Sequence, residues 1–363
     1  MHTREFPLDL AALEELTTRT LGPLAGFVPL SGDASTRRFF RVLRASADPL
    51  VAMVLEGPID PAVHPQVLVG SYFASLGLPV PRLEASLPEA GLVYYEDLGD
   101  LLLQSLVSEA LDRPAGGPGG GRSARPRPGG QDRGDAAGRA RLTRLYREAT
   151  GMLAVLQGKG TRDLPSDHPS ARAALDEERF LFELRFFREH YIEDFRDIAL
   201  GERESAALDA FLQTLAREAA APPLVLCHRD FHSRNLLVQD DRLRLVDFQD
   251  ARLGPVAYDL ASLLRDSYVD LPRDLTEALF EAFLVENAAH IPSADQFREQ
   301  YEVVALQRNL KAIGTFGYQA AVRGKTHYLP YIAPMWEYAL SALFRVPRLG
   351  TEARPILEML AAG

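Results

Sequence analysis

The sequence predicts an α+β chain in two lobes, a small mixed lobe followed by a large helical one. Apolar stretches of strand length, separated by turn residues, crowd the N-terminal part, and helical spacing of apolar residues dominates after Arg141. The length of 363 residues also exceeds the usual size of one compact domain.

Leucines at helical spacing from Leu8 to Leu21 predict a helix, which Gly22 and Pro23 stop. In SGDASTRRFFRVL, beginning at Ser31, a turn at Gly32 and Asp33 leads into a strand from Arg38 to Leu43. Pro49 precedes a second strand, Leu50 to Leu55, closed by Gly57 and Pro58. A helix from Pro65 to Leu76 ends at Gly77, and Gly91 to Glu96 reads as a strand entering the polar corner Asp97 to Asp100. The lobe junction is expected there, with a first lobe over residues 1–97 and a second over 98–363.

From Asp112 to Gly138 the chain is rich in glycine, proline and arginine, with too little to bury to offset its ordering entropy. It reads as a flexible insertion between two helices of the second lobe, its arginines solvated rather than bound to nucleic acid. Helical spacing then resumes at Leu142, Leu145 and Tyr146, and again at Phe180, Leu184 and Phe187. Ser205 is the expected cap of a helix carrying Leu208, Phe211, Leu212 and Leu215, and Leu275 to Val285 and Tyr301 to Ile313 are further helices.

Composition narrows the function. Hydrophobic residues at 47% and charged residues at 25% are ordinary for a soluble globular protein. A net charge of −10 disfavours a nucleic-acid partner, since phosphate-backbone binders carry basic surfaces. Cys227 is the single cysteine, which excludes an intramolecular disulfide or a multi-thiolate zinc site and fits a reducing compartment. Residues Met1 to Leu10 lack the apolar core of a secretory signal, and no apolar stretch has bilayer length, so the expected location is the cytoplasm.

The chemistry concentrates between Leu224 and Leu260. Leu224 to Cys227 is a short apolar strand delivering His228, Arg229 and Asp230 to a loop; Leu236 to Val238 and Leu243 to Val246 form a hairpin around the polar turn Gln239 to Arg242. A turn centred between Asp240 and Asp241 sets Val238 opposite Leu243 and brings Asn235 beside Val246 and Asp247. With adjacent strands about 4.8 Å apart, one hard cation can touch both polar side chains. Magnesium, which binds through one or two protein oxygens plus substrate phosphates, suits that pair. Asp230, on the loop entering the hairpin, has the placement of a base that takes a proton from an attacking hydroxyl.

His228, Arg229, Asp230 and Asn235 match H-R-D-x-x-x-x-N, the protein-kinase catalytic loop, and Asp247-Phe248-Gln249 stands where D-F-G would. HRDFHSRNLLV with VDFQDARLGPVAYDLASLLRD resembles the aminoglycoside phosphotransferase and choline kinase superfamily. SGDASTRRFFRV and QRNLKAIGTF, the latter from Gln307 to Phe316, are similar to its bacterial anomeric kinases of N-acetylmuramate and N-acetylglucosamine. The resemblance runs from about Ser31 to the C-terminal helices, excluding the glycine-rich insertion. It implies a bilobal protein-kinase-like fold, ATP between the lobes, magnesium, and transfer of the γ-phosphoryl group to a sugar hydroxyl in cell-wall recycling.

The same resemblance implies that the Tyr95-Glu96-Asp97-Leu98 corner offers backbone partners at Glu96 and Leu98 to adenine, although the residues alone show only a strand running into a turn. Two departures stand out. Val51-Ala52-Met53-Val54 ends in valine where V-A-I-K has its phosphate-binding lysine, so one of Arg37, Arg38 or Arg41, beside the Gly32 turn and Ser35, is expected to supply that charge. Gln249 replaces the D-F-G glycine but leaves Asp247 intact.

His232, Arg234, Asp266 and Arg308 are candidate acceptor contacts; Arg265 and Lys311 are further cations for a sugar carboxylate, and Asp259 is a candidate brace at a helix start. The expected partners are ATP and a small-molecule sugar, with neither nucleic acid nor membrane, for a monomer or weak dimer. An aminoglycoside or choline-like alcohol as acceptor, and a pseudokinase without turnover, are the competing readings.

Overall fold

The computed structural model describes residues 9–30, 37–111, 132–291, 293–349, 351 and 354–362. The chain forms two compact units, Met1–Asp100 with Val238–Gln249, and Leu101–Leu237 with Asp250–Gly363. The segment carrying Asp247, which a linear division at 97/98 assigns to the second lobe, thus belongs to the first unit.

That unit opens with helix α1 (Leu10–Leu21), whose N-terminal amides are capped by Asp9, the carboxylate accepting from Ala12 N at 2.8 Å. Strands β1 (Leu24–Leu30), β2 (Arg38–Arg44) and β3 (Leu50–Val54) follow, then helix α2 (Pro65–Ser75), β4 (Leu83–Leu87) and β5 (Leu92–Glu96). The sheet order is β1-β2-β3-β5-β4, with β1–β2, β2–β3, β3–β5 and β4–β5 all antiparallel. Side chains alternate between its faces. Phe40, Val42, Ala52, Val54, Leu92 and Tyr94 pack with Leu13 of α1 on one side, while Met53, Leu55, Val93 and Tyr95 cluster with Phe39 on the other.

β1 and β4 are strands that apolar alternation does not reveal. LAGFVPL contains glycine and proline, and proline is tolerated because β1 is an edge strand with a ladder on one side only. Stacking of Phe27 on Phe40, with centroids 4.7 Å apart, fixes β1 against the sheet.

The second unit begins with α3 (Leu103–Ala110), α4 (Asp132–Gln157), the single turn α5 (Lys159–Arg162), α6 (Glu177–Phe187) and α7 (Glu202–Ala219). Because α4 starts at Asp132, the last residues of the expected insertion are helical; 112–131 lie outside the described residues. Ser205 does not cap α7. Gly201 occupies that position, its N–H bonded to Glu204 at 3.0 Å, and Ser205, one turn inside, accepts from Arg188 at 2.8 Å.

Strand β6 (Leu224–Cys227) leads to the hairpin of β7 (Leu236–Gln239) and β8 (Arg242–Leu245). Asp240 and Asp241 both have positive φ, 49° and 58°, the conformation of a two-residue hairpin turn that twists with its strands. β9 (Arg252–Pro255) pairs antiparallel with β6, Cys227 opposite Arg252. Helices α8 (Ala257–Leu264), α9 (Arg273–Glu286), α10 (Ala294–Ala321), α11 (Ile332–Arg345) and α12 (Arg354–Ala362) complete the unit. α10 runs through its core. A Cβ at Gly314 would stand 2.5 Å from Phe187 Cα, so glycine there allows α10 to approach the end of α6 backbone to backbone. No helix among the described residues is long and apolar enough to cross a membrane.

Candidate active site

In the second unit, buried β6 delivers His228, Arg229 and Asp230 to a loop whose backbone is held from beneath. Arg229 has φ 83°, a left-handed conformation costly for a residue with a Cβ. The carboxylate of Asp259, in the first turn of α8, accepts from His228 N at 2.6 Å and Arg229 N at 2.9 Å, and so holds that conformation. Burial raises the Asp259 pKa despite these bonds. From α10, Arg308 donates to the Arg229 carbonyl at 3.2 Å and to Ser262 Oγ at 2.5 Å, with its guanidinium 4.5 Å from the Tyr258 ring centroid. These partners make Arg308, expected at the sugar, a brace of the loop.

Beyond Asp230 the loop closes on itself. His232 N donates to the Asp230 carbonyl at 3.1 Å, Asn235 N to the His232 carbonyl at 2.9 Å, and Asn235 Nδ2 to the Asp230 carbonyl at 2.8 Å. The last bond commits the amide nitrogen inward and turns Oδ1, an acceptor, the other way. Asp266, expected at the sugar, is buried and spends one oxygen on Ser233 N at 2.8 Å and the other on Tyr268 N at 2.9 Å. It too positions the loop.

The carboxylate of Asp230 is ringed by cations. Lys311 Nζ lies 3.7 Å from its Oδ1, 3.9 Å from Glu183 Oε1 and 3.4 Å from Tyr258 OH. Burial by itself would raise the Asp230 pKa, but Lys311, then Arg229, outweigh it and hold the group well below the ordinary carboxylate range. Asp230 is therefore held in its ionised form. Glu183 of α6 anchors the cluster: it is buried, accepts from Gln307 at 3.0 Å and Arg179 at 3.3 Å, and lies 3.8 Å from Arg229. No motif marks Glu183 in the sequence, because it reaches the loop only through packing of α6 on α10.

Beside the loop, Arg234 is boxed by aromatic rings. Its guanidinium lies 3.8 Å from the Tyr268 centroid, donates to Tyr331 OH at 3.2 Å and to Gln104 at 3.0 Å. His232 meets Tyr268 edge-on at 5.4 Å, and burial lowers its pKa, leaving it a neutral imidazole. Arg265 is absent from this group. It forms a buried two-point pair with Glu302 at 3.1 Å, which Arg345 also contacts, so it is a core ion pair rather than the free cation expected for a sugar carboxylate.

In the first unit, Asp247 has φ 63°, and its carboxylate is 46% exposed, the accessibility a ligand requires. Phe248 anchors it, buried against α2 with its ring 5.9 Å from Phe73 and at Gly70, where a Cβ would come within 2.9 Å. Gln249 donates to Asp247 Oδ1 at 3.0 Å. The hairpin bearing Asp247 is tied down by Arg244, which donates to Glu96 at 2.8 and 3.2 Å and to Gln239 at 2.9 Å. The side chain of Glu96 is thus a brace. Leu98 is buried at the same corner, and Gly32 and Ser35 lie outside the described residues.

The arginines of β2 separate by face. Arg38 turns toward the α1 side, 5.0 Å from the Phe40 centroid, and the register pairs it with Val54. Arg41 is held by two carboxylates, Asp97 at 2.5 Å and Asp100 at 2.8 Å, whose hydrogen bonds raise its pKa further. Arg37 donates to Gln66 of α2 at 3.1 Å and directs Nη2 to Asp247 Oδ1 at 3.5 Å. Arg38, expected at the phosphates, thus lies on the face opposite the one on which Asp247 is met.

Residues 26–297, well over half of the chain, match the phosphotransferase enzyme family. The chain belongs to that family. It is an enzyme, an ATP-dependent phosphotransferase with an alcohol acceptor. Over 345 residues it is 28% identical to an N-acetylmuramate/N-acetylglucosamine kinase of Pseudomonas aeruginosa, covering 94% of this chain and 90% of the relative. A Neisseria meningitidis protein of the same description is 28% identical over 91% of this chain and 88% of its own. Among solved structures, a choline/ethanolamine kinase family protein from Mesorhizobium loti superposes with a TM-score of 0.57 at 14% identity, covering 97% of this phosphotransferase and 99% of that chain. That likeness establishes the fold, α+β and protein-kinase-like, as the sequence predicts.

Proposed function

We propose that the enzyme transfers the γ-phosphoryl group of ATP to the anomeric hydroxyl of an N-acetylated amino sugar, N-acetylmuramate or N-acetylglucosamine, in cell-wall recycling. Relatives carrying both sugars in their descriptions, aligned over nearly their whole length, support that acceptor class. The observation that carries the chemistry is the Asp230 carboxylate, 3.7 Å from the Lys311 ammonium on a loop braced by Asp259.

Asp230 accepts the proton of the sugar hydroxyl as its oxygen bonds to the γ-phosphorus, while the bond from that phosphorus to the ADP oxygen breaks and ADP leaves with the electron pair. A carboxylate held so far below its usual pKa is a weak base. Phosphoryl transfer through a loose transition state demands little basicity, and an anomeric hydroxyl is more acidic than an ordinary alcohol. Asn235, through Oδ1, and Asp247, through its exposed carboxylate, are the residues that would hold magnesium, which would neutralise phosphate charge. Glu96 and Leu98 are the proposed backbone partners of adenine.

His232 and Arg234 face the acceptor in this reading, and the cation of Arg234 suits the lactyl carboxylate of N-acetylmuramate. The same positive charge, with Lys311 close by Asp230, disfavours a polyamine such as an aminoglycoside. The proposed setting is a cytoplasmic monomer or weak dimer without a nucleic-acid partner. ATP consumption across a panel of amino sugars, choline and aminoglycosides tests the proposal: turnover with the N-acetylated sugars supports it, and turnover confined to aminoglycosides or choline refutes it.

A further inference from the structure

We propose that Glu183 is a positioning residue for phosphoryl transfer: it shares the Lys311 ammonium with Asp230, and so keeps Lys311 from closing onto the carboxylate that takes the proton. The inference rests on Asp230 as the base of the proposed reaction and deepens that reading at the same loop.

Lys311 Nζ stands 3.7 Å from Asp230 Oδ1 and 3.9 Å from Glu183 Oε1, whereas a closed ammonium–carboxylate bond measures about 2.8 Å. The ammonium lies between two carboxylates and is closed on neither, with Tyr258 OH a third partner at 3.4 Å. An ammonium bonded tightly to Asp230 would occupy oxygen lone pairs and compete with the sugar hydroxyl for them. A countercharge on the far side of Lys311 prevents that closure.

Glu183 is held in place to supply the countercharge. It is 4% exposed, and Gln307 donates to its Oε2 at 3.0 Å, which leaves Oε1 to meet Arg179 at 3.3 Å, Arg229 at 3.8 Å and Lys311. Burial alone would raise its pKa, but Lys311, then Arg229, keep it ionised. About one turn further along each helix, Gly314 lets α10 meet α6 backbone to backbone, so the spacing between the helices that carry Lys311 and Glu183 is fixed by packing. That packing does not itself require a charge, because apolar residues of similar volume often replace a buried ion cluster without loss of stability. The carboxylate adds a hold on Lys311.

Steady-state kinetics of the full chain with magnesium-ATP and N-acetylglucosamine or N-acetylmuramate tests this in a double-mutant cycle of Glu183→Gln and Lys311→Met. The expected result for Glu183→Gln is a fall in kcat of about tenfold or more, with KM for ATP within about twofold of the parent, which also certifies a folded protein. Glu183→Asp, which keeps the charge but withdraws it by one methylene, should fall between Glu183→Gln and the parent. Lys311→Met removes the ammonium that would close on Asp230, so the double variant should have the kcat of Lys311→Met alone. Losses that multiply across the cycle overturn the proposal, as does a parental kcat in Glu183→Gln. If Glu183→Gln does not fold, the cycle is decided by the same criterion with Glu183→Asp. A parental kcat in Asp230→Asn refutes the base, and the proposal with it, whereas multiplying losses beside an inactive Asp230→Asn leave the base standing and remove Glu183 alone.

Discussion

Lys311 holds its ammonium 3.7 Å from Oδ1 of Asp230. Burial pushes the carboxylate pKa up, and Lys311 is the strongest of the charges that push it down. The active form of a base is the ionised one, so in the parent Asp230 imposes no loss of rate through mildly acidic pH. Lys311→Met removes the stabilising charge, raises the pKa, and protonates Asp230 at higher pH. The acid limb of the kcat profile should move upward in pH; an unmoved limb would show that Lys311 does not act on the base.

Asp230→Asn deletes the proposed proton acceptor and neither proposed metal oxygen. The expected fall in kcat is about 10²- to 10⁴-fold, with ATP affinity close to the parental value. Single-turnover kinetics and calorimetry on the same preparation separate the two effects. Turnover within about tenfold of the parent would remove Asp230 from the chemistry.

Asp259→Ala leaves the amides of His228 and Arg229 buried without their acceptor and unlocks the left-handed Arg229. Loss of charge-assisted bonds at a fully buried site should cost about 3 kcal/mol of stability, read from the urea midpoint at unchanged m-value. A midpoint equal to the parent's would mean that the loop is held by other contacts.

The loop after β6 and the hairpin were legible in the sequence because both are short-range objects. H-R-D-x-x-x-x-N fixes residue types at fixed spacing, and the two aspartates between Gln239 and Arg242 demand a tight turn. The supporting contacts were not legible, since Glu183, Lys311 and Arg308 reach Asp230 or its loop through helix packing that leaves no local pattern. Charge misled for the same reason: Arg265 and Arg41 look available in sequence, yet carboxylates far along the chain neutralise them. Ser205 failed as a cap because Gly201, with Glu204 closing back onto it, starts α7 one turn earlier. Strands β1, β4 and β9 lack the alternation or the residue types that announce strands; their partners impose the conformation.

The central claim is phosphorylation of an N-acetylated amino sugar at its anomeric oxygen, and a proton-coupled phosphorus NMR spectrum of the product tests it most directly. With N-acetylmuramate or N-acetylglucosamine and magnesium-ATP, one new phosphomonoester resonance coupled to the anomeric proton is expected. A resonance coupled to the C6 protons, or product formed from kanamycin-like compounds and from neither sugar, would contradict it.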